Sequence, residues 1–523
     1  MSVTLVRPTN AVPRSAARGL QRLAASPALL LSIIFILGVA LRVFHLTYLS
    51  LWNDELFSRY YYQTGLLYMW TDGLKSESSP PLYYMAVGAW IEVFGSGEAA
   101  LRALSVAASS VVILLVYVLG KEILGRQQAL LAAGLFALSA TQIYYAQEAR
   151  AYALLLIPVT VTLLACARYL SGSGGTWNLA CYSAGAVLCV YTHATMVFFV
   201  AACGIAVLSC VGTPHRLREN GIPTGWIVAN ACVALLALPE LRGMLGHVES
   251  DQLAWIPPLG LHDIGAVLSN TLAGTLTPGA FPGGELAVVL CCLLAIALWR
   301  RPPDRPASVI VLAVPLFYLT CVLVVSLAFQ PMMLSRIFVW TGIPLCLLQA
   351  HALSIRWRLR PVVATIIVFV VAVGLFYQLN PNPDAKEPWR SVIREVEPDL
   401  TRADLVVLGP DTDPADLMYY APHLSQVKIW TKTTLPEAQA GVMAQLFGIT
   451  RITRNEIIAS INGNARVVLV LRTGDNGFLP SLLKNVPAPA QWIDRRCRRG
   501  DRGITKYPCG LTALSWYDGS KQE

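Results

Sequence analysis

The chain has 523 residues, of which 55% are hydrophobic and only 14% charged. That leaves too little polar surface to cover a soluble globule, so an ordinary water-soluble protein is excluded and a polytopic membrane protein remains. The net charge of +9 does not point to nucleic acid, because the basic residues are spread through many loops instead of lining one face.

Eleven apolar segments are long enough, or nearly so, to cross a hydrocarbon core of about 30 Å. They run roughly over 27–47, 99–119, 128–146, 150–170, 177–192, 194–212, 225–243, 285–299, 307–329, 335–353 and 361–379. Lys and Arg set their orientation, since basic loops stay in the cytoplasm. One side carries Arg7, Arg14, Arg18, Arg22, Lys121, Arg126, Arg216, Arg218, Arg300, Arg301, Arg305, Arg356, Arg358 and Arg360. The other, before the tail, carries Arg59, Lys75, Arg150, Arg242 and Arg336. The N-terminus is therefore expected inside and, with an odd number of spans, the C-terminus outside. The first segment has no Ala-x-Ala-like site and is read as a retained span, not a cleaved leader.

Three regions between or after spans are large: an external loop at about 48–98, a second at about 244–284, and a tail from about 380. The stretch "SLWNDELFSRYYY", Ser50 to Tyr62, places the adjacent carboxylates Asp54 and Glu55 just outside the first span. The apolar stretch Pro80–Phe94, opened by two prolines, reads as a helix lying in the interface; as a span it would invert every later loop. The tail begins at the Pro/Asn-rich "NPNPDAKEPWR". There "RSVIREV" reads as a helix, and "ADLVVLG" and "ARVVLVLR" as strands buried on both faces. The domains expected are a cytoplasmic tail 1–26, a membrane domain 27–379 and an extracytoplasmic α/β domain 380–523. Ten of the twelve cysteines fall in spans as small apolar residues; Cys497 and Cys509 lie in the tail, where a disulfide is open to them.

On this topology four polar groups reach the same external face: Asp54 and Glu55; Gln147, Glu148, Arg150 and Tyr152; Tyr191, Thr192 and His193; and Gln330, Ser335 and Arg336. Each alone has a plain structural reading, as a snorkelling arginine, an interfacial histidine or an ion pair between short-linked helices. Their types together are carboxylates able to act as base, cations able to hold phosphate and aromatics able to stack on a sugar. A coupled transporter would place ionisable groups at mid-membrane. Here Arg42, Arg102, Glu240 and His351 are read near span ends, which favours an enzyme acting at the outer surface.

The segments "NDE", "SSPPLYYMAVGAWIEVFGSGEAALRALS", "QEARAYALL", "YTHAT", "SRIF" and "PWRSVIREV" resemble, in their order and spacing, the GT-C glycosyltransferases related to protein O-mannosyltransferases and bacterial aminoarabinose transferases. The resemblance covers about residues 27–400; the tail beyond carries no fingerprint. Ser79 stands where relatives often carry His before the Pro-Pro pair. The resemblance implies a GT-C membrane fold and a polyprenyl-phosphate sugar donor used on the outer face of the inner (plasma) membrane. It makes Asp54 the catalytic base and Glu55 its neighbour, and implies inversion at the anomeric carbon.

A base must take the acceptor's hydroxyl proton while cations stabilise the leaving phosphate. Arg150 and Arg336 are the phosphate candidates; Glu148, Tyr152 and His193 follow as orienting groups, with Tyr83 as a further substrate-binding residue. The acceptor is open between a lipid, a glycan and a protein. No metal is required, and a divalent cation stays an alternative that Asp54, Glu55 and the Glu249/Asp251 pair would ligate. The competing functions are a polysaccharide polymerase or ligase using polyprenyl-linked glycans, and a non-enzymatic lipid flippase.

Overall fold

The computed structural model describes residues 26–73, 77, 79–173, 175–211, 222–249, 256, 258–303, 305–409, 412–430, 437–463, 465–472, 491–496 and 511–517. The first external elements follow one membrane helix: α1 (Pro27–Val43), α2 (Asn53–Tyr61), α3 (Leu66–Trp70) and α4 (Pro81–Phe94). Then come α5 (Glu98–Ile123), α6 (Arg126–Leu138), α7 (Ala140–Ala146), α8 (Ala151–Leu170), α9 (Thr176–Thr192), α10 (Met196–Val211), α11 (Thr224–Glu249) and α12 (Leu261–Ala273). The membrane part ends with α13 (Gly283–Arg300), α14 (Val309–Ala328), a 3₁₀ segment Ser335–Thr341 running into α15 (Gly342–Ser354), and α16 (Arg360–Leu379).

Each of the eleven expected spans falls on one of these helices or helix pairs. Seven helices among the described residues are long and apolar enough to cross a membrane, and the bent pair α6–α7 makes an eighth. The remaining three, α1, α9 and α10, have 16 or 17 residues and are roughly 24–26 Å long, at the short end for a spanning segment. Large apolar side chains such as Ile36, Leu235, Leu327, Val368 and Phe376 face outward, as a lipid-facing surface requires.

Local physics explains where the expected boundaries move. The first span stops as helix at Val43, and His45 takes a left-handed φ of 59° that turns the chain towards the external loop. The segment 128–146 breaks at Ser139, bending by 58°. The second external loop contains α12, whose start is capped by Asp263 accepting from the Gly260 N–H at 2.9 Å. The segment expected to end near 243 continues as helix to Glu249. α4, with 14 residues, spans roughly 21 Å and is too short to cross. α1 approaches α5 and α6 closely at Gly38, where an added Cβ would sit 2.4 Å from the Ile113 side chain.

The tail carries α17 (Trp389–Arg402), β1 (Leu405–Leu408), α18 (Pro414–Tyr420), β2 (Val427–Trp430), α19 (Glu437–Leu446), β3 (Thr450–Ile452), α20 (Arg454–Asn462), β4 (Val467–Arg472), β5 (Gln491–Arg496) and β6 (Leu511–Tyr517). The strands form one sheet in the order β3-β2-β1-β4-β6-β5, parallel from β3 to β4 and antiparallel at β6 and β5. The helix and both strands read from sequence are α17, β1 and β4. β1 is buried at every position, and Trp389, Ile393 and Leu400 of α17 join Val406 and Val468 in its core. Cys497, Cys509 and Asp251 lie outside the described residues, and so does the Glu249 side chain.

The tail is seated on the external loops. Leu51, Leu56, Tyr61 and Tyr84 share an apolar cluster with Ala415 and Met443. Tyr420 accepts from the Leu51 N–H at 2.9 Å and donates to Glu98 at 2.9 Å, and Arg390 pairs with Glu98. These contacts fix the floor from which α2 rises.

Candidate active site

α2 starts where the Trp52 carbonyl accepts the first helical N–H groups, from Glu55 and Leu56. Asp54 and Glu55 occupy its first turn, where the helix dipole favours carboxylates. Adjacent positions point about 100° apart on a helix, so the two acids enter different surroundings.

Asp54 faces two arginines. Its Oδ2 lies 3.0 Å from Arg336 Nη1 and 3.9 Å from Arg150 Nε. Arg150 stands in extended backbone just before α8 and spreads its remaining donors over α2 and α4. It reaches the Asp54 carbonyl and Ser58 Oγ at 3.2 Å, Tyr84 hydroxyl at 3.5 Å and Ser79 Oγ at 3.4 Å. Arg336 opens the 3₁₀ segment, which is anchored by Asn270 donating to Ser335 at 2.9 Å and by the Tyr318 hydroxyl 3.0 Å from the Ile337 carbonyl. The side chains of Asp54, Arg336 and Arg150 keep 28%, 24% and 13% of their exposure, so a ligand can reach them.

Glu55 is enclosed. Its carboxylate accepts from Arg102 Nε and Nη2 and from the Ala149 N–H, each at 2.8 Å, and from Lys386 Nζ at 3.3 Å. Burial alone would raise its pKa, but the charges of Arg102 and Lys386 and these hydrogen bonds hold it down to about 2. A carboxylate with every lone pair engaged and no exposed surface acts as an anchor for α2, not as a group that meets substrate. Its ties join the external loop, α5, the 147–150 turn and the tail.

Glu148 is also buried. Its Oε1 accepts from Trp52 Nε1 at 2.9 Å and lies 3.7 Å from Lys386, while Oε2 has no hydrogen-bond partner among the described residues. Burial pushes its pKa up, opposed by Lys386 and reinforced by Glu55 and Asp54. Glu148 thus holds Trp52 against the turn that carries Asp54. Gln147 donates to the Arg42 and Phe44 carbonyls at 3.1 and 2.6 Å, a structural tie.

His193 sits at the end of α9, its ring 6.0 Å from that of Tyr152. Burial, with Arg336 and Arg150 nearby, lowers its pKa to about 3, so it is neutral and cannot serve as a cation for phosphate. Tyr83 is buried, and the hydroxyl that reaches Arg150 belongs to its neighbour Tyr84. Sequence reading missed Tyr84, Ser58, Arg102 and Lys386. Lys386 is the least foreseeable: it enters from the tail boundary and covers the rings of Tyr144 and Trp52 at 5.1 and 6.0 Å. Among the described residues, no three His, Cys, Asp or Glu side chains gather as a metal site.

Residues 78–238 match the model of the dolichyl-phosphate-mannose-protein mannosyltransferase family. The structure is similar to that of ArnT from Cupriavidus metallidurans in the apo state, with 10% identity, a TM-score of 0.58 and coverage of 96% of this chain and 98% of that one. ArnT bound to undecaprenyl phosphate matches with 11% identity, a TM-score of 0.57 and coverage of 93% and 97%. The chain has the GT-C glycosyltransferase fold. That is the architecture its motifs resembled. The Archaeoglobus fulgidus oligosaccharyltransferase, tethered to an acceptor peptide, aligns at 11% identity and a TM-score of 0.45 over 88% of this chain and 72% of that one. No curated protein sequence matches the chain at a significant level.

Proposed function

We propose that this membrane glycosyltransferase of the GT-C type transfers a sugar from a polyprenyl-phosphate donor to a hydroxyl-bearing acceptor on the extracytoplasmic face, with inversion. The observation that carries the reading is the convergence of Arg336 and Arg150 on one oxygen of Asp54. Two guanidinium groups aimed at one anionic point suit a phosphate, which they hold through charge-assisted hydrogen bonds. The undecaprenyl phosphate bound by ArnT supports the donor class.

In the reaction, the acceptor oxygen attacks the anomeric carbon and its proton passes to the Asp54 carboxylate. The bond from that carbon to the phosphate oxygen breaks, and its electron pair stays on the polyprenyl phosphate, held by Arg336 and Arg150. Donor binding draws Arg336 from Asp54 to the phosphate, which frees the carboxylate as a base at the moment it is needed. Glu55, Arg102 and Lys386 fix the turn that carries Asp54. No divalent cation has a part, since the arginines supply the positive charge.

The experiment is sugar transfer by the purified full chain in lipid nanodiscs, from undecaprenyl-phosphate-linked monosaccharides into isolated envelope membranes. Transfer that depends on Asp54 and Arg336 supports the reading; binding of lipid phosphate without any transfer removes it. Orientation is tested separately. A reporter active only outside the cytoplasm should work when fused after residue 385 and fail at 303, and the reverse would overturn the placement of the site.

A further inference from the structure

Glu240 is a buried carboxylate near the end of a membrane helix, and one of its oxygens has no hydrogen-bond partner among the described residues. It lies near the end of the apolar stretch Thr224–Gly243, where the sequence places it, and α11 runs on past it to Glu249. It is 2% exposed, and the oxygen in question is Oε2. An unpartnered buried carboxylate is costly, and ionisable groups kept inside spans are there for a ligand or a pathway.

What stands beside it is aromatic. The Tyr191 hydroxyl donates to the Leu236 carbonyl at 2.8 Å, one turn before Glu240. Trp70 of α3 packs on Tyr191 with ring centroids 5.1 Å apart. Both rings join elements that carry residues of the site. Trp70 Nε1 meets the Met85 sulfur at 3.3 Å, next to the Tyr84 that reaches Arg150, and Tyr191 is two residues from the His193 that neighbours Tyr152.

We infer that Glu240, Tyr191 and Trp70 form a sugar-ring subsite beside the phosphate-binding arginines, with Glu240 accepting hydrogen bonds from ring hydroxyl or amino groups and the aromatic pair covering the ring's apolar face. A ligand that donates hydrogen bonds satisfies the orphaned oxygen, and aromatic faces suit the C–H surface of a pyranose. The inference rests on the proposed donor chemistry, because the ring would belong either to the donor or to a glycosylated acceptor.

The test uses the full chain in nanodiscs, with undecaprenyl phosphate and a panel of undecaprenyl-phosphate-linked pentoses, hexoses and amino sugars as probes. The wild type should bind one glycosylated lipid more tightly than bare undecaprenyl phosphate. Glu240→Gln and Trp70→Ala should each lower that preference about tenfold, the worth of one hydrogen bond to a charged group, and leave affinity for the bare lipid unchanged. That result assigns the subsite to the donor sugar. Unchanged lipid preference, with transfer into envelope membranes reduced about tenfold at limiting but not saturating membrane, assigns it to an acceptor sugar. If both variants leave both quantities unchanged, the subsite is refuted. Failure of the donor reading looks different: bare undecaprenyl phosphate would bind equally well to wild type and Arg336→Ala.

Discussion

Arg336 and Asp54 are 282 residues apart in sequence, and their side chains meet at 3.0 Å. The proposed base and the proposed phosphate cation thus hold one another. Arg336→Lys keeps the charge but loses the planar fork that grips two oxygens. Affinity for undecaprenyl phosphate should fall about tenfold or more, measured by titration in nanodiscs. Unchanged affinity would return Arg336 to an interfacial anchor.

Glu55→Gln breaks a fully buried ion pair and leaves Arg102 without its counter-charge, at a cost of about 3–5 kcal/mol. The expected outcome is a clear fall in the unfolding midpoint, with Arg102→Met similar and the double variant less damaged than the sum. Additive losses would show that the two side chains act independently.

Lys386→Met removes the cation shared by Glu55 and Glu148. Undecaprenyl phosphate should still bind, because the arginines are untouched, while turnover falls about tenfold to a hundredfold as the Asp54 turn loses its position. Lys386→Arg should recover much of the loss. A variant that loses lipid binding and keeps its turnover rate would place Lys386 on the phosphate instead.

His193 supplies a pH test. Its folded pKa, about 3, lies below the ordinary 6.5, so its contribution to stability is present above pH 6.5 and is lost as the pH falls from 6.5 towards 3. Glu55 behaves likewise at lower pH, its contribution fading from 4.5 towards 2. Between pH 7.5 and 5 the unfolding temperature of the wild type should therefore drop more than that of His193→Gln. Parallel curves would mean that His193 is as readily protonated as an exposed histidine.

Much of the site was legible because its parts occupy short external turns between long apolar segments. Once the topology is set, Asp54, Arg150, His193 and Arg336 are confined to one side, and the fold brings Asp54 and both arginines together. What the sequence could not separate is Asp54 from Glu55, since neighbours on a helix diverge only when the packing is known. Arg102 reads only as lying near a span's end and is the partner that buries Glu55. Lys386 lay in a linker with no motif. Glu240 reads as lying near the end of a span and lies there, but its burial with an unpartnered oxygen is visible only once the packing is known. Beyond Arg472 the strands β5 and β6 carry no pattern that foretold their antiparallel pairing.

The most direct measurement is Asp54→Asn, assayed for turnover and, separately, for lipid-phosphate affinity. The amide keeps the shape but cannot take the acceptor's proton, so turnover should fall about 10²-fold to 10⁴-fold. Affinity for undecaprenyl phosphate should hold or rise, because the carboxylate that competes for Arg336 and Arg150 has gone. Near-normal turnover in Asp54→Asn, or a loss of lipid binding that alone accounts for the lost activity, would contradict the assignment of Asp54 as the base.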